Sequence, residues 1–136
     1  MLKIKLNIPA TMLATAFHGG GGGAKAGEQW APTGCMCGAL AAGVLAIGVF
    51  YGRKSPKGSR YGCAAHVSGV LHKRFQEEFG AKCCSMIRPF YKKIDADMAC
   101  SPVYIKGAEL AVEVLFSAPK IYEECNMPAS LLKLIA

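Results

Sequence analysis

A chain of 136 residues is about the size of one domain, and 52% apolar residues with a mean hydropathy of +0.27 exclude a largely disordered chain. The net charge of +7 would suit a nucleic-acid partner. Yet its clusters, Arg53, Lys54, Lys57 and Arg60 in a Gly/Ser/Pro loop and then Arg88, Lys92 and Lys93, lack interleaved aromatics and any nucleic-acid motif, so they read as solvated surface.

The first segment, 1–17, is broken by Asn7 and Pro9 and lacks the apolar core and cleavage site of a secretory signal. A cytoplasmic protein is therefore expected, as one domain over 1–136. Within that segment 8–17 reads as a short helix, since Pro9 suits a first turn, where its missing N–H is not needed. The run from Gly19 to Gly23 stops it and opens a loop reaching about Thr33. A second helix is expected over 35–51, ending at Gly52, with the small residues Ala39, Gly43, Ala42 and Ala46 four apart along it. Its apolar run, 38–50, falls short of the roughly 20 residues of a membrane span.

A third helix is expected from about Ser59 to Gly80, with Val67, Val70, Leu71, Phe75 and Phe79 at helical spacing and Gly80 as its C-terminal cap. A short helical piece follows over 83–90, limited by Pro89. Ser101 and Pro102 open another helix through Phe116, with Tyr104, Ala108, Ala111 and Leu115 as its buried stripe. The tail, 121–136, reads as a last short helix. No strand pattern stands out, and the expected fold is all-α, a compact bundle of about five helices with a glycine-rich loop.

Most familiar chemistries are absent. The glycine run lacks the Gly-Lys-Ser/Thr of a P-loop, because Lys25 sits between Ala24 and Ala26. Its formal dinucleotide-fingerprint match at Gly19, Gly21 and Ala24 has no preceding strand. His18, His66 and His72 form no zinc or haem pattern, and Cys63 with His66 is not a haem-attachment motif.

The seven cysteines remain. Cys37, Cys84 and Cys100 each fall where a helix is about to start. A helix N-terminus carries roughly half a positive charge and unpaired N–H groups, both of which favour a thiolate. Cys35 with Cys37, and Cys83 with Cys84, concentrate soft ligands of the kind that suit zinc or an iron–sulfur cluster. Adjacent cysteines rarely bridge each other without strain, so Cys83 and Cys84 should point different ways. Cys63 and Cys125 read as ordinary core cysteines.

The stretch Cys37-Gly38-Ala39-Leu40-Ala41-Ala42-Gly43, continuing to Gly52, resembles the signature helix of a redox-active protein family named for its C–GCAxxG–C–C cysteine pattern. Ile8-Pro9 with Ala16-Phe17-His18-Gly19-Gly20 is similar to that family's helix and glycine loop. Arg74-Phe75-Gln76-Glu77-Glu78-Phe79-Gly80 followed by Cys84, and then Cys100, is similar to its later segments, so the likeness spans about 6–116. Three departures accompany it. The signature glycine falls at Ala42, with Gly43 one step later. No cysteine precedes Cys35, whereas the family's first cysteine lies before the glycine loop, which leaves Cys35 or Cys63 as its substitute. Split-Soret cytochromes are similar over this module but carry haem motifs that this chain lacks.

These readings lead to a small redox protein in which Cys37, Cys84 and Cys100, with Cys35 as fourth, hold an iron–sulfur cluster and pass electrons to a partner protein. The alternatives are a metal-free thiol–disulfide or sensor protein, and a structural zinc or interaction module. A homodimer is expected from the apolar tail residues Leu131, Leu132, Leu134 and Ile135. Neither a nucleic-acid partner nor a membrane span is expected.

Overall fold

The computed structural model describes residues 23–26, 29–32, 34–52, 55, 62–92 and 100–125, with side chains over 34–52, 55, 64–89 and 100–121. The expected helix over 8–17, the first four glycines of the run, the basic cluster at Arg53, Lys54, Lys57 and Arg60, and the tail beyond Cys125 lie outside the described residues. So do the side chains of Lys92, Cys63 and Cys125, and all of Lys93.

The described chain is predominantly helical. A short antiparallel hairpin, β1 (Gly23–Ala26) and β2 (Gln29–Pro32), comes first, with Lys25 opposite Trp30. Four helices follow: α1 (Gly38–Tyr51), α2 (Gly62–Phe79), α3 (Cys84–Lys92) and α4 (Ser101–Cys125). The hairpin corrects the expected unstructured loop. Its strands, Gly-Ala-Lys-Ala and Gln-Trp-Ala-Pro, have no β-branched residues, so the usual strand signal was missing.

Helices α1, α2 and α4 pack against one another, and their facing sides make the core. From α2 come Val67, Leu71 and Phe75, all fully buried, at a spacing of four that puts them on one face. Phe79 is half-buried beyond them, its ring 4.5 Å from that of Phe75. From α1 come Leu40, Ala41, Gly43 and Ile47. Close approach is made possible at two glycines. A Cβ on Gly43 would lie 2.6 Å from Leu71 Cδ2 and 3.2 Å from Ala111 Cβ, and one on Gly107 would lie 3.1 Å from Ala39 Cβ. Gly80 ends α2 in the left-handed region at φ 70°, and its N–H donates to the Gln76 carbonyl at 2.9 Å.

Helix α4 departs from expectation twice. Its buried stripe is Val103, Gly107, Leu110, Ala111, Val114, Ala118 and Ile121, while Tyr104 and Ala108 face solvent. Two neighbouring apolar stripes run along this helix, and the one holding the contact glycine docks, since a large side chain at that point would keep α1 and α2 apart. The helix also runs through Pro119 to Cys125 instead of stopping at Phe116. A proline removes one backbone hydrogen bond and crowds the preceding turn. Burial of Ala118 and Ile121 on either side of it holds the helix against the core. Pro89 is likewise inside α3. No polar or charged residue among those described is buried, and no described helix is long and apolar enough to cross a membrane.

Candidate sulfur site at three helix starts

Three helices begin at cysteine backbone. The Cys37 carbonyl accepts from Ala41 N–H at 2.9 Å as α1 opens. The Cys83 carbonyl accepts from Met86 and Ile87 N–H at 3.1 and 3.0 Å as α3 opens, and the Cys100 carbonyl accepts from Tyr104 N–H at 3.0 Å as α4 opens. Cysteine is small and tolerates the extended backbone of a capping position, as at Cys37 with φ −57° and ψ 135°. Cys84 is the first residue of α3, one step inside the cap.

Two of these starts are fastened side by side. Cys37 N–H donates to the Lys82 carbonyl at 2.7 Å, and Cys35 is disulfide-bonded to Cys83. Segments 35–37 and 82–84 therefore run together, although 48 positions separate the bonded cysteines in sequence. Cys35 is exposed and Cys83 half-buried, so this bond lies toward the surface. Beneath it Cys37 and Cys84 are buried free thiols, and Cys100 is a half-buried one.

The three thiols share one electrostatic neighbourhood. Burial pushes the Cys37 thiol above its ordinary pKa. The N–H groups of Ala39 and Leu40 pull the other way, and a Cys100 thiolate adds to the rise. Neither N–H closes a capping hydrogen bond on the sulfur, so desolvation outweighs the helix start. Cys84 is raised as well, by burial first and then by thiolates at Cys37 and Cys100, with Arg88 opposing. Tyr104 is raised by burial and then by Cys100, Cys37 and Cys84, again with Arg88 opposing. Tyr104 and Arg88 thus border the sulfurs. The expectation that helix N-termini would make these thiols acidic is reversed at Cys37 and Cys84, because a buried sulfur pays more for its charge than the first turn returns.

The four cysteines nominated from sequence fall in this region in two states: Cys37, Cys84 and Cys100 as thiols, and Cys35 in the disulfide. Cys83 groups with Cys84 as a soft ligand in the sequence but stands outside the four-cysteine site expected there. Its signal was the pair of short spacings, 35 with 37 and 83 with 84, which lets two segments meet sulfur to sulfur. Tyr104 was assigned to the core stripe and Arg88 to a surface cluster, and nothing in their spacing marked them as neighbours of the cysteines. Of the described histidines, His66 is exposed, and His72 is lowered in pKa by burial and then by Lys82.

No curated protein matches this sequence, and no solved structure does. The family model described as "Putative redox-active protein (C_GCAxxG_C_C)" matches residues 2–114, a stretch that holds every cysteine of the sulfur site, and the chain belongs to that family.

Proposed function

We propose that this redox-family protein works by thiol–disulfide exchange at Cys35–Cys83, with Cys37, Cys84 and Cys100 as the thiols beneath. The observation that carries the reading is an accessible disulfide joined to the same two segments that hold buried free thiols. Exchange proceeds by in-line attack of a thiolate on a disulfide sulfur. A thiolate from a partner protein's dithiol attacks the exposed Cys35 Sγ, the Cys35–Cys83 bond breaks, and Cys83 leaves as a thiolate that takes up a proton. The partner's second thiol then attacks the mixed disulfide and releases Cys35. Two electrons and two protons pass to this protein, and the partner leaves as a disulfide. The reverse sequence reoxidises the pair.

A second reading, an iron–sulfur cluster, is favoured by the gathering of cysteines at three helix starts. Such clusters are commonly held by four cysteine thiolates. In the disulfide-bonded form the described free thiols number three, and no group of three or more His, Cys, Asp or Glu among the described residues is placed to hold a metal ion. The disulfide-bonded form therefore offers fewer than four thiolate donors among the described residues. Reduction would return Cys35 to join Cys37, Cys84 and Cys100, and a bound cluster would supply one-electron transfer.

The test is a redox titration of the whole protein in dithiothreitol buffers, with free thiols counted by alkylation and mass. The exchange reading expects reversible two-electron oxidation of a colourless protein, with Cys35 and Cys83 among the cysteines that pair. Visible absorbance with matching iron and sulfide after anaerobic purification would establish the cluster instead. Failure of Cys35 and Cys83 to pair under any oxidising buffer would end the exchange reading.

A further inference from the structure

The geometry points to a disulfide that moves: the bond between Cys35 and Cys83 can be passed inward to Cys37 and Cys84, so that the outer pair meets the partner and the inner pair stores the oxidation. This rests on the exchange reading above and assigns roles within it.

Topology restricts which bonds can form. Cys83 and Cys84 are adjacent, and a bond between them is strained. Cys35 and Cys37 are two apart in one segment, where a bond would close a small ring across a single residue. Linkages among these four therefore run between segments 35–37 and 82–84, which the Cys37 N–H to Lys82 carbonyl bond of 2.7 Å ties together. That hydrogen bond sets Cys37 beside the residue next to Cys83. Cys84 follows Cys83 directly and is buried, as Cys37 is. Both inner thiols are thus carried on the backbone that carries the outer bond.

The transfer takes two exchanges. The Cys37 thiolate attacks Cys83 Sγ, a Cys37–Cys83 bond forms, the Cys35–Cys83 bond breaks, and exposed Cys35 leaves and gains the proton that Cys37 lost. The Cys84 thiolate then attacks Cys37 Sγ, a Cys37–Cys84 bond forms, and Cys83 leaves and is protonated. One disulfide and two thiols exist before and after. No electrons enter or leave, and no outside oxidant or reductant is required. The outer pair emerges reduced at the surface, ready to be oxidised again.

The experiment uses the full oxidised chain, incubated without reductant, trapped by acid and alkylation, and digested for disulfide mapping by fragmentation mass spectrometry. The expected result is a mixture of Cys35–Cys83 and Cys37–Cys84 linkages, with the inner linkage lost in Cys37→Ser and in Cys84→Ser while the outer one persists. Two independent serine variants guard against one of them failing to fold. Cys84→Ser gives a further check, since it lacks the second attacking thiol and should hold some Cys37–Cys83 beside the outer bond. A wild-type protein holding Cys35–Cys83 alone at every time point would overturn the migration while leaving the exchange reading standing. An inner linkage made to Cys100 instead would overturn the assignment of Cys37 and Cys84 as the storing pair. Absence of any Cys35–Cys83 bond would mean that the underlying reading had failed first.

Discussion

Gly43 offers the sharpest test of how this fold is held. In an exposed helix, replacing glycine by alanine stabilises by about 0.5–1 kcal/mol, because alanine has less backbone freedom to lose. Gly48 in the same helix is such a site, exposed and with nothing within 4 Å of a new Cβ. Gly43 differs. A Cβ there meets Leu71 Cδ2 at 2.6 Å and Ala111 Cβ at 3.2 Å. Leu71 is 1% exposed, inside the core, and the Ala111 Cβ cannot shift without moving α4. Overpacking of this kind costs about 1–3 kcal/mol. Set against the propensity gain, Gly43→Ala should be neutral to about 2 kcal/mol destabilising, and Gly43→Leu destabilising by about 1–3 kcal/mol.

Thermal unfolding followed by circular dichroism separates the two sites, at roughly 4 °C per kcal/mol for a domain of this size. With the disulfide state held constant, Gly48→Ala should melt a few degrees above wild type and Gly43→Ala below Gly48→Ala by several degrees. Equal rises in both variants would refute the contact between α1, α2 and α4 on which the core is built.

Four further outcomes follow from named contacts. Reducing Cys35–Cys83 removes a crosslink over 48 residues, worth about 4 kcal/mol by chain entropy and commonly about 2–4 in practice; an unchanged melting temperature with phosphine reductant would show that the bond does not brace the fold. Folded Cys37 and Cys84 hold their protons above the ordinary thiol pKa, so the unfolded chain loses them first and stability falls as pH rises through that range, levelling only above the raised folded values. Urea melts across that alkaline window should show the fall, and Cys37→Ser should lessen it. The Arg74–Glu113 pair at 2.6 Å has side chains 39% and 51% exposed, so Arg74→Ala should cost less than about 1 kcal/mol, and a larger loss would mean the pair is shielded from water. Finally, Ile105, Val112 and Phe116 line one outer side of α4, Phe116 being 78% exposed, and a homodimer is expected; light scattering that gives a monomer at tens of micromolar would remove it.

Much of the helical body was legible because its signals are local. Val67, Leu71 and Phe75 repeat at four, Gly80 has the positive φ that a helix stop favours, Cys37 and Cys100 directly precede their helices, and Cys84 begins its own. What escaped depended on contacts between distant segments. Tyr104 was read as core because it is large and apolar. Val103 is core because Gly107, on the same face, must meet α1 and α2. The stop expected at Phe116 did not occur, since burial of Ala118 and Ile121 was not visible in the sequence. For the sulfurs, spacing showed which cysteines were concentrated, whereas their pairing depended on segments 35–37 and 82–84 meeting in space.

The state of the sulfur site follows from a contest between two fields. Helix starts favour a thiolate, and burial opposes one, by more at Cys37 and Cys84. Each thiolate also raises the cost of the next, because Cys100 acts on Cys37 and both act on Cys84. The inner sulfurs are consequently held mainly as neutral thiols, and forming an ion there is the demanding step in any reaction they start. Cys35–Cys83 escapes that demand, since an incoming thiolate brings its own charge to an exposed sulfur. Placing the bond outside and the reluctant thiols inside makes reaction with a partner the easier event and internal transfer the slower one. Arg88 lowers the cost of charge at Cys84, so removal of its guanidinium should slow the inner step, read as later appearance of the Cys37–Cys84 linkage.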